Sequence, residues 1–175
     1  IEEYFSLISA FKFIKGGREQ FRINKYNCTA KDLLDFIADR FPFDFTEGQK
    51  KAVNDIYADM TSESVMNRLL QGDVGSGKTL VALMSALLAV DNGYQACIMA
   101  PTEILAIQHA KTISQLLETS QVRVALLTGT TTRKQRETLH ADLRAGEIHI
   151  LVGTHALIEE EVQFANLGLC IIDEQ

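Results

Sequence analysis

One run of eight residues constrains this chain more than any other: Gly72-Asp73-Val74-Gly75-Ser76-Gly77-Lys78-Thr79. It matches the pattern G-x-x-x-x-G-K-[ST] in full, which chance supplies in about one chain in two hundred of this length. Its context matters as much as its letters. A short apolar stretch, 67–70, precedes it, and an apolar helical stretch, 78–90, follows. Strand, glycine-rich turn and helix in that order make a phosphate-gripping loop. The bland alternative is a glycine-rich turn at an ordinary helix start. The glycines let successive backbone N–H groups face one anion, and the helix presents its positive end to the same point. Lys78 is placed to reach the β- and γ-phosphates, and the Thr79 hydroxyl to bind Mg²⁺. ATP is therefore the expected ligand of residues 72–79.

The sequence around the loop alternates in a regular way. Thr46-x-x-Gln49 is a capping box that opens a helix running to about Met60. Strands are expected at 96–100, 122–127, 148–152 and 169–173, with helices at 103–117 and 132–145 and a helix stop at Asn92-Gly93. Thr132-x-x-Gln135 forms a second capping box. The strands are nearly continuous apolar runs, as a sheet covered on both faces requires. The fold class is thus α/β, with a parallel sheet between layers of helices. Residues 1–41 differ in character. Phe5, Leu7, Ile8 and Phe11 recur at helical spacing, Gly16-Gly17 interrupts, and a second helix is expected from Thr29 to Phe41, stopped by Pro42. The expected division is a helical linker at 1–41 and an ATP-binding lobe at 42–175.

Composition excludes some classes. The formal net charge is −6, which opposes strong non-specific nucleic-acid binding by the chain as a whole. Lys12, Lys15, Arg18, Arg22 and Lys25 make a mildly basic stretch, read as a solvated face. The three cysteines, Cys28, Cys97 and Cys170, are scattered and contain no C-x-x-C pair, so reduced thiols and a cytoplasmic setting are expected. No apolar run has the length of a membrane span. The chain opens Ile1-Glu2-Glu3, with neither a starting Met nor the basic start of a signal peptide, so a piece of a longer protein is expected.

A second site lies near the carboxyl end. Leu169-Cys170-Ile171-Ile172 is an apolar strand that runs into Asp173-Glu174. Ligands of open α/β sheets bind at such strand ends. Asp173 is placed to hold the Mg²⁺ shell and Glu174 to accept a proton from, or orient, an attacking water. A solvated strand end is the alternative for the pair taken alone. Adjacent acids favour hydrolysis over transfer to a small metabolite.

Six segments carry a resemblance: FPFDFTEGQ, MNRLLQGDVGSGKT, APTEILAIQH, LLTGTTT, VGTHALI and NLGLCIIDEQ, which fall in order between residues 41 and 175. Together they resemble the first motor lobe of superfamily 2 helicases, and more narrowly the ATP-dependent helicases of branched DNA. The transcription–repair coupling translocases are the nearest alternative, and a non-helicase P-loop ATPase or nucleotide-binding module is a further one. The resemblance implies a RecA-like P-loop lobe, DNA (forks, Holliday junctions, single strand) as partner, a bacterial cytoplasmic setting, a role in recombination and repair, and a monomer. It implies that Thr46 and Gln49 read the adenine, although the same two residues make a good capping box. Phe43 would pack near the base. Pro101, Thr102 and Glu103 open a helix whose positive end could hold a DNA phosphate, with an ordinary strand-to-helix turn as the alternative. Thr128, Gly129, Gly153, Thr154 and His155 match further strand-contacting positions; His155 fits a coupling role and a structural one equally. His109, His140 and His149 show no metal-ligand spacing and read as surface or helix residues. The resemblance also places a second motor lobe after the Walker B motif at Asp173-Glu174. Its arginines would stabilise the transferring phosphoryl group, so residues 1–175 alone are expected to be nearly inactive.

Overall fold

The computed structural model describes residues 2–8, 13–15, 18–20, 44–62 and 65–174. The strands are β1 (Glu2–Ile8), β2 (Phe13–Lys15), β3 (Arg18–Gln20), β4 (Asn67–Asp73), β5 (Gln95–Met99), β6 (Val124–Leu127), β7 (Ile150–Gly153) and β8 (Leu167–Glu174). The helices are α1 (Glu47–Thr61), α2 (Lys78–Asp91), α3 (Glu103–Leu116) and α4 (Arg133–Ala145), with a 3₁₀ turn at His155–Ile158. Six strands form one sheet in the order β4-β1-β8-β5-β7-β6, and β2 and β3 pair separately as an antiparallel ribbon.

Local sequence explains the helices. Thr46 and Gln49 form the reciprocal capping box of α1, and Thr132 and Gln135 that of α4. Gly146, at φ 80°, closes α4 in the left-handed conformation that favours glycine. α2 is apolar on nearly every side, and ten of its residues from Lys78 to Ala89 are buried. A helix of that kind belongs inside a protein.

Period-two alternation divides the sheet's faces. Ala96 and Ile98 of β5, Ile150 and Val152 of β7, and Leu169 and Ile171 of β8 join the large core with α1, α2 and α3. Leu151 points the other way, into a smaller core with Leu139 and Leu143 of α4. Helices therefore cover both faces, as the doubly apolar strands require. Fully burying one such leucine contributes about 1.5–3 kcal/mol. Cys97 and Cys170 are register partners on β5 and β8, both buried and unlinked. The bond to the Cys170 thiol and burial together hold the Cys97 thiol well above its ordinary range. Cys28 lies outside the described residues.

The amino-terminal segment overturns the helical expectation for its described part. Glu2–Ile8 is a strand, paired antiparallel with β4 on one side and β8 on the other. Phe5 and Leu7, two residues apart, are 2% and 0% exposed. Seven residues that include Phe5, Leu7 and Ile8 satisfy a helical and an extended period alike. Seven residues are also too few to hold a helix unaided, whereas here two ladders and a buried face are available. Phe13–Lys15 and Arg18–Gln20 are likewise extended. Phe11 and the helix expected over 29–41 lie outside the described residues.

Candidate nucleotide and nucleic-acid site

β4 and β8 both run antiparallel to β1, so they run parallel to each other. β8, β5, β7 and β6 are parallel in turn. The carboxyl ends of five strands consequently face one edge of the sheet. Every expected site residue from Gly72 onward falls on that edge or in the connection just after it. In open α/β sheets this edge is where ligands bind.

The glycine-rich loop leaves β4 at Asp73 and enters α2 at Lys78. Gly75 and Gly77 have φ of 79° and 80°, a region side-chain-bearing residues avoid. The Ser76 N–H donates to the Asp73 carbonyl at 3.1 Å and tightens the turn. No side chain caps α2, so its first N–H groups point out of the helix start without a side-chain acceptor. Lys78 is only 5% exposed. Its Nζ donates to the Gly72 carbonyl at 2.9 Å, the Asp73 carbonyl at 2.6 Å and Ser76 Oγ at 3.2 Å. The ammonium thus sits at the centre of the loop, against the positive end of a buried helix. That combination suits an anion such as a phosphate group.

Thr46 and Gln49 come to the same place from α1. The box bonds are Thr46 N–H to Gln49 Oε1 at 2.9 Å and Gln49 N–H to Thr46 Oγ1 at 3.3 Å. Gln49 also reaches across: its Nε2 donates to the Ser76 carbonyl at 3.1 Å. The capping reading and a place beside the loop are therefore both realised. Phe43 lies outside the described residues.

Asp173 stands near the end of β8, in register with Phe5 of β1. One strand separates it from β4, so β8 and β4 lie roughly 10 Å apart. Its carboxylate is buried. Oδ2 lies 2.9 Å from His109 Nε2, while Oδ1 has no hydrogen-bond partner among the described residues. A buried carboxylate oxygen without a partner is costly unless something else meets it. Glu174 closes β8 through its backbone pairing with Tyr4; its side chain lies outside the described set.

The other end of the edge is built from hydroxyls. Thr102 caps α3, its Oγ1 accepting from the Leu105 N–H at 3.3 Å. Glu103 accepts from Thr128 Oγ1 at 2.8 Å and, more closely, from Thr130 Oγ1. The Thr130 bond first, then the Thr128 bond, holds the Glu103 carboxyl below its ordinary range. Arg136 Nη2 donates to the Thr128 carbonyl at 2.9 Å and its Nη1 to Glu159 at 2.5 Å. Gly153 faces a tight approach: a Cβ there would strike the Leu127 carbonyl, and would lie 2.9 Å from Leu157 Cδ2. Pro101 and Gly129 are exposed, and His155 is exposed at the head of the 3₁₀ turn.

Two histidines are better connected than the sequence suggested. His149 Nδ1 accepts the Arg123 N–H at 2.8 Å and has a structural part. His109 lies on a helix, as expected, but its side chain is only 12% exposed and it meets Asp173. One signal was present. His109 sits three residues after Ala106 and four before Ile113, both fully buried, so it lies on the inner face of α3.

The site and the sheet define a P-loop motor lobe, and the chain belongs to the DEAD/DEAH box helicase family, which matches residues 46–175. Within that family it is similar to RecG. It is 51% identical over 151 residues to the ATP-dependent DNA helicase RecG of Aquifex aeolicus, covering 86% of this chain and 19% of the relative. The RecG of Thermotoga maritima is 46% identical over 178 residues (99% and 22%), and that of Bacillus subtilis 50% over 163 residues (93% and 24%). A solved structure described as RecG bound to a three-way DNA junction superposes with a TM-score of 0.73 at 42% identity, covering 82% of this chain and 20% of that one. The chain thus spans about a fifth of the length of these relatives.

Proposed function

We propose that residues 42–175, with β1 as a further strand of their sheet, form the ATP-binding lobe of an ATP-dependent DNA helicase that acts on branched DNA, forks and Holliday junctions, in recombination and repair. The carrying observation is the shared edge. Lys78 at the centre of its loop and Asp173 with a buried, unpartnered oxygen stand one strand apart at the carboxyl ends of parallel strands. The likeness to RecG supports DNA as the partner.

Each residue then has a task. Residues 72–79 grip the phosphates through backbone N–H groups, and Lys78 exchanges loop acceptors for β- and γ-phosphate oxygens. Mg²⁺ fits the donor set: Thr79 and Asp173 are hard oxygen ligands, and Oδ1 of Asp173 is free to meet it. When bound, it supplies charge neutralisation of the phosphates. Glu174 orients the attacking water and receives its proton. Gln49, with Thr46 and Phe43, borders the base. Thr102, Thr128, Gly129, Gly153, Thr154 and His155 offer hydroxyls, N–H groups and close backbone to a DNA strand, with Pro101 shaping the turn. The Glu103 carboxylate would repel a phosphate, so its part is to hold Thr128 and Thr130 in place.

The lobe is one half of an ATPase. Arginines from elsewhere are worth about 10³–10⁵ in rate in related NTPases. The whole protein is taken to work as a monomer in the bacterial cytoplasm. No described helix is long and apolar enough to cross a membrane. The test is phosphate release with forked or four-way DNA, comparing residues 1–175 with the intact protein. Hydrolysis stimulated by branched DNA only in the intact protein is the expected result. Full turnover by residues 1–175, or no response to DNA by the intact protein, overturns the reading.

A further inference from the structure

We infer that His109 is a positioning residue for the metal-facing carboxylate of Asp173. The inference rests on the assignment of Asp173 to Mg²⁺ made above.

The geometry is specific. An ionised carboxylate only accepts, so His109 Nε2 donates to Asp173 Oδ2 across 2.9 Å. That bond fixes the rotation of the carboxylate and leaves Oδ1, buried and unpartnered, as the oxygen turned to a ligand. The imidazole is itself held: the Phe5 ring meets it edge-on, with centroids 6.1 Å apart and planes at 63°. Asp173 is 5% exposed, so water does not substitute readily for the lost donor. A ligand carboxylate is commonly oriented by such a partner, whose removal costs about 10–100-fold in metal affinity or activity.

The histidine also has an address. It lies six residues after Glu103 on α3, about 9 Å along the axis. Ala106 and Ile113, three residues before His109 and four after it, seat this face of α3 in the core.

The experiment uses the intact protein and a fluorescent ATP analogue that is not hydrolysed, titrated with Mg²⁺. His109→Leu should raise the Mg²⁺ concentration for half-maximal binding about 10-fold, with analogue binding in EDTA unchanged. His109→Gln, whose amide nitrogen reaches the place of Nε2, should restore the parent value within about 2-fold, since the same donor–acceptor bond is remade. Should His109→Leu fail to fold, His109→Asn, too short by one methylene, carries the same expectation. Unchanged Mg²⁺ dependence in the apolar or shortened variant, or equal behaviour of Leu and Gln, overturns the inference. Asp173→Asn separates the two levels. If it abolishes the Mg²⁺ dependence while His109→Leu leaves it intact, only the role of His109 fails. If it leaves the dependence intact, the metal assignment fails with it.

Discussion

Two points on α3, its first residue and its middle, make the same kind of contact in different environments. At the middle, His109 and Asp173 share one bond in a buried site with an oxygen left over. At the amino-terminal end, Glu103 gathers two hydroxyls in a half-exposed cluster, and Arg136 braces the Thr128 carbonyl from outside. The first arrangement has no redundancy, and burial makes its open oxygen a demand for a ligand. The second has two hydroxyl bonds in parallel on one carboxylate.

The largest expected effect isolates the buried side. Lys78→Ala removes a charge held by three loop acceptors and should weaken triphosphate binding by about 100-fold. Equilibrium titration with a fluorescent nucleotide measures it. DNA binding in the absence of nucleotide should be retained, and its loss would break the separation of the buried site from the hydroxyl cluster. Gly153→Ala comes next and strikes the strand-contact side. Its Cβ meets the Leu127 carbonyl and Leu157, so overpacking should cost about 1–3 kcal/mol in urea unfolding. An unchanged midpoint would show that this edge yields more readily than the geometry implies.

Smaller effects probe the hydroxyl cluster. Thr128→Val keeps the shape and removes one donor to Glu103, leaving Thr130 in place. A melting-temperature loss of a few degrees is expected, with weaker binding of single-stranded DNA measured by anisotropy. A collapse as large as that of Gly153→Ala would contradict the redundancy. The smallest effect is acid dependence. Because the hydroxyls lower the Glu103 carboxyl below its ordinary value, the contribution is present above that value and is lost as pH falls through the lowered one. Unfolding of the parent and of Glu103→Gln should therefore converge only in acid, below the ordinary value of 4.5. A difference that persisted there would assign the stabilisation elsewhere.

The loop at 72–79 was legible because every part of it is local. Its glycines, lysine and threonine lie within eight residues, and strand and helix flank it directly. The helices were legible for the same reason: two capping boxes and Gly146 mark their ends within a residue or two. The strand before the loop runs three residues further than its apolar core, to Asp73, because the β1 ladder continues that far. The contact of His109 with Asp173 was not legible because its partner lies 64 residues away, and nothing in nearby sequence names that partner. The leading segment was misjudged because seven residues cannot separate a period of 2 from one of 3.6.

The sequence by itself determined the chemistry available: a phosphate loop, an acidic strand end and threonine-rich turns, each encoded by adjacent residues whose backbone preferences are short-ranged. Tertiary structure decided which of these meet. Parallel pairing brought the strand ends to one edge, β1 took its place between β4 and β8, and α3 delivered His109 to Asp173. Those outcomes depend on ladders and buried faces formed between distant segments, where the free energy lies in contacts that no single segment contains.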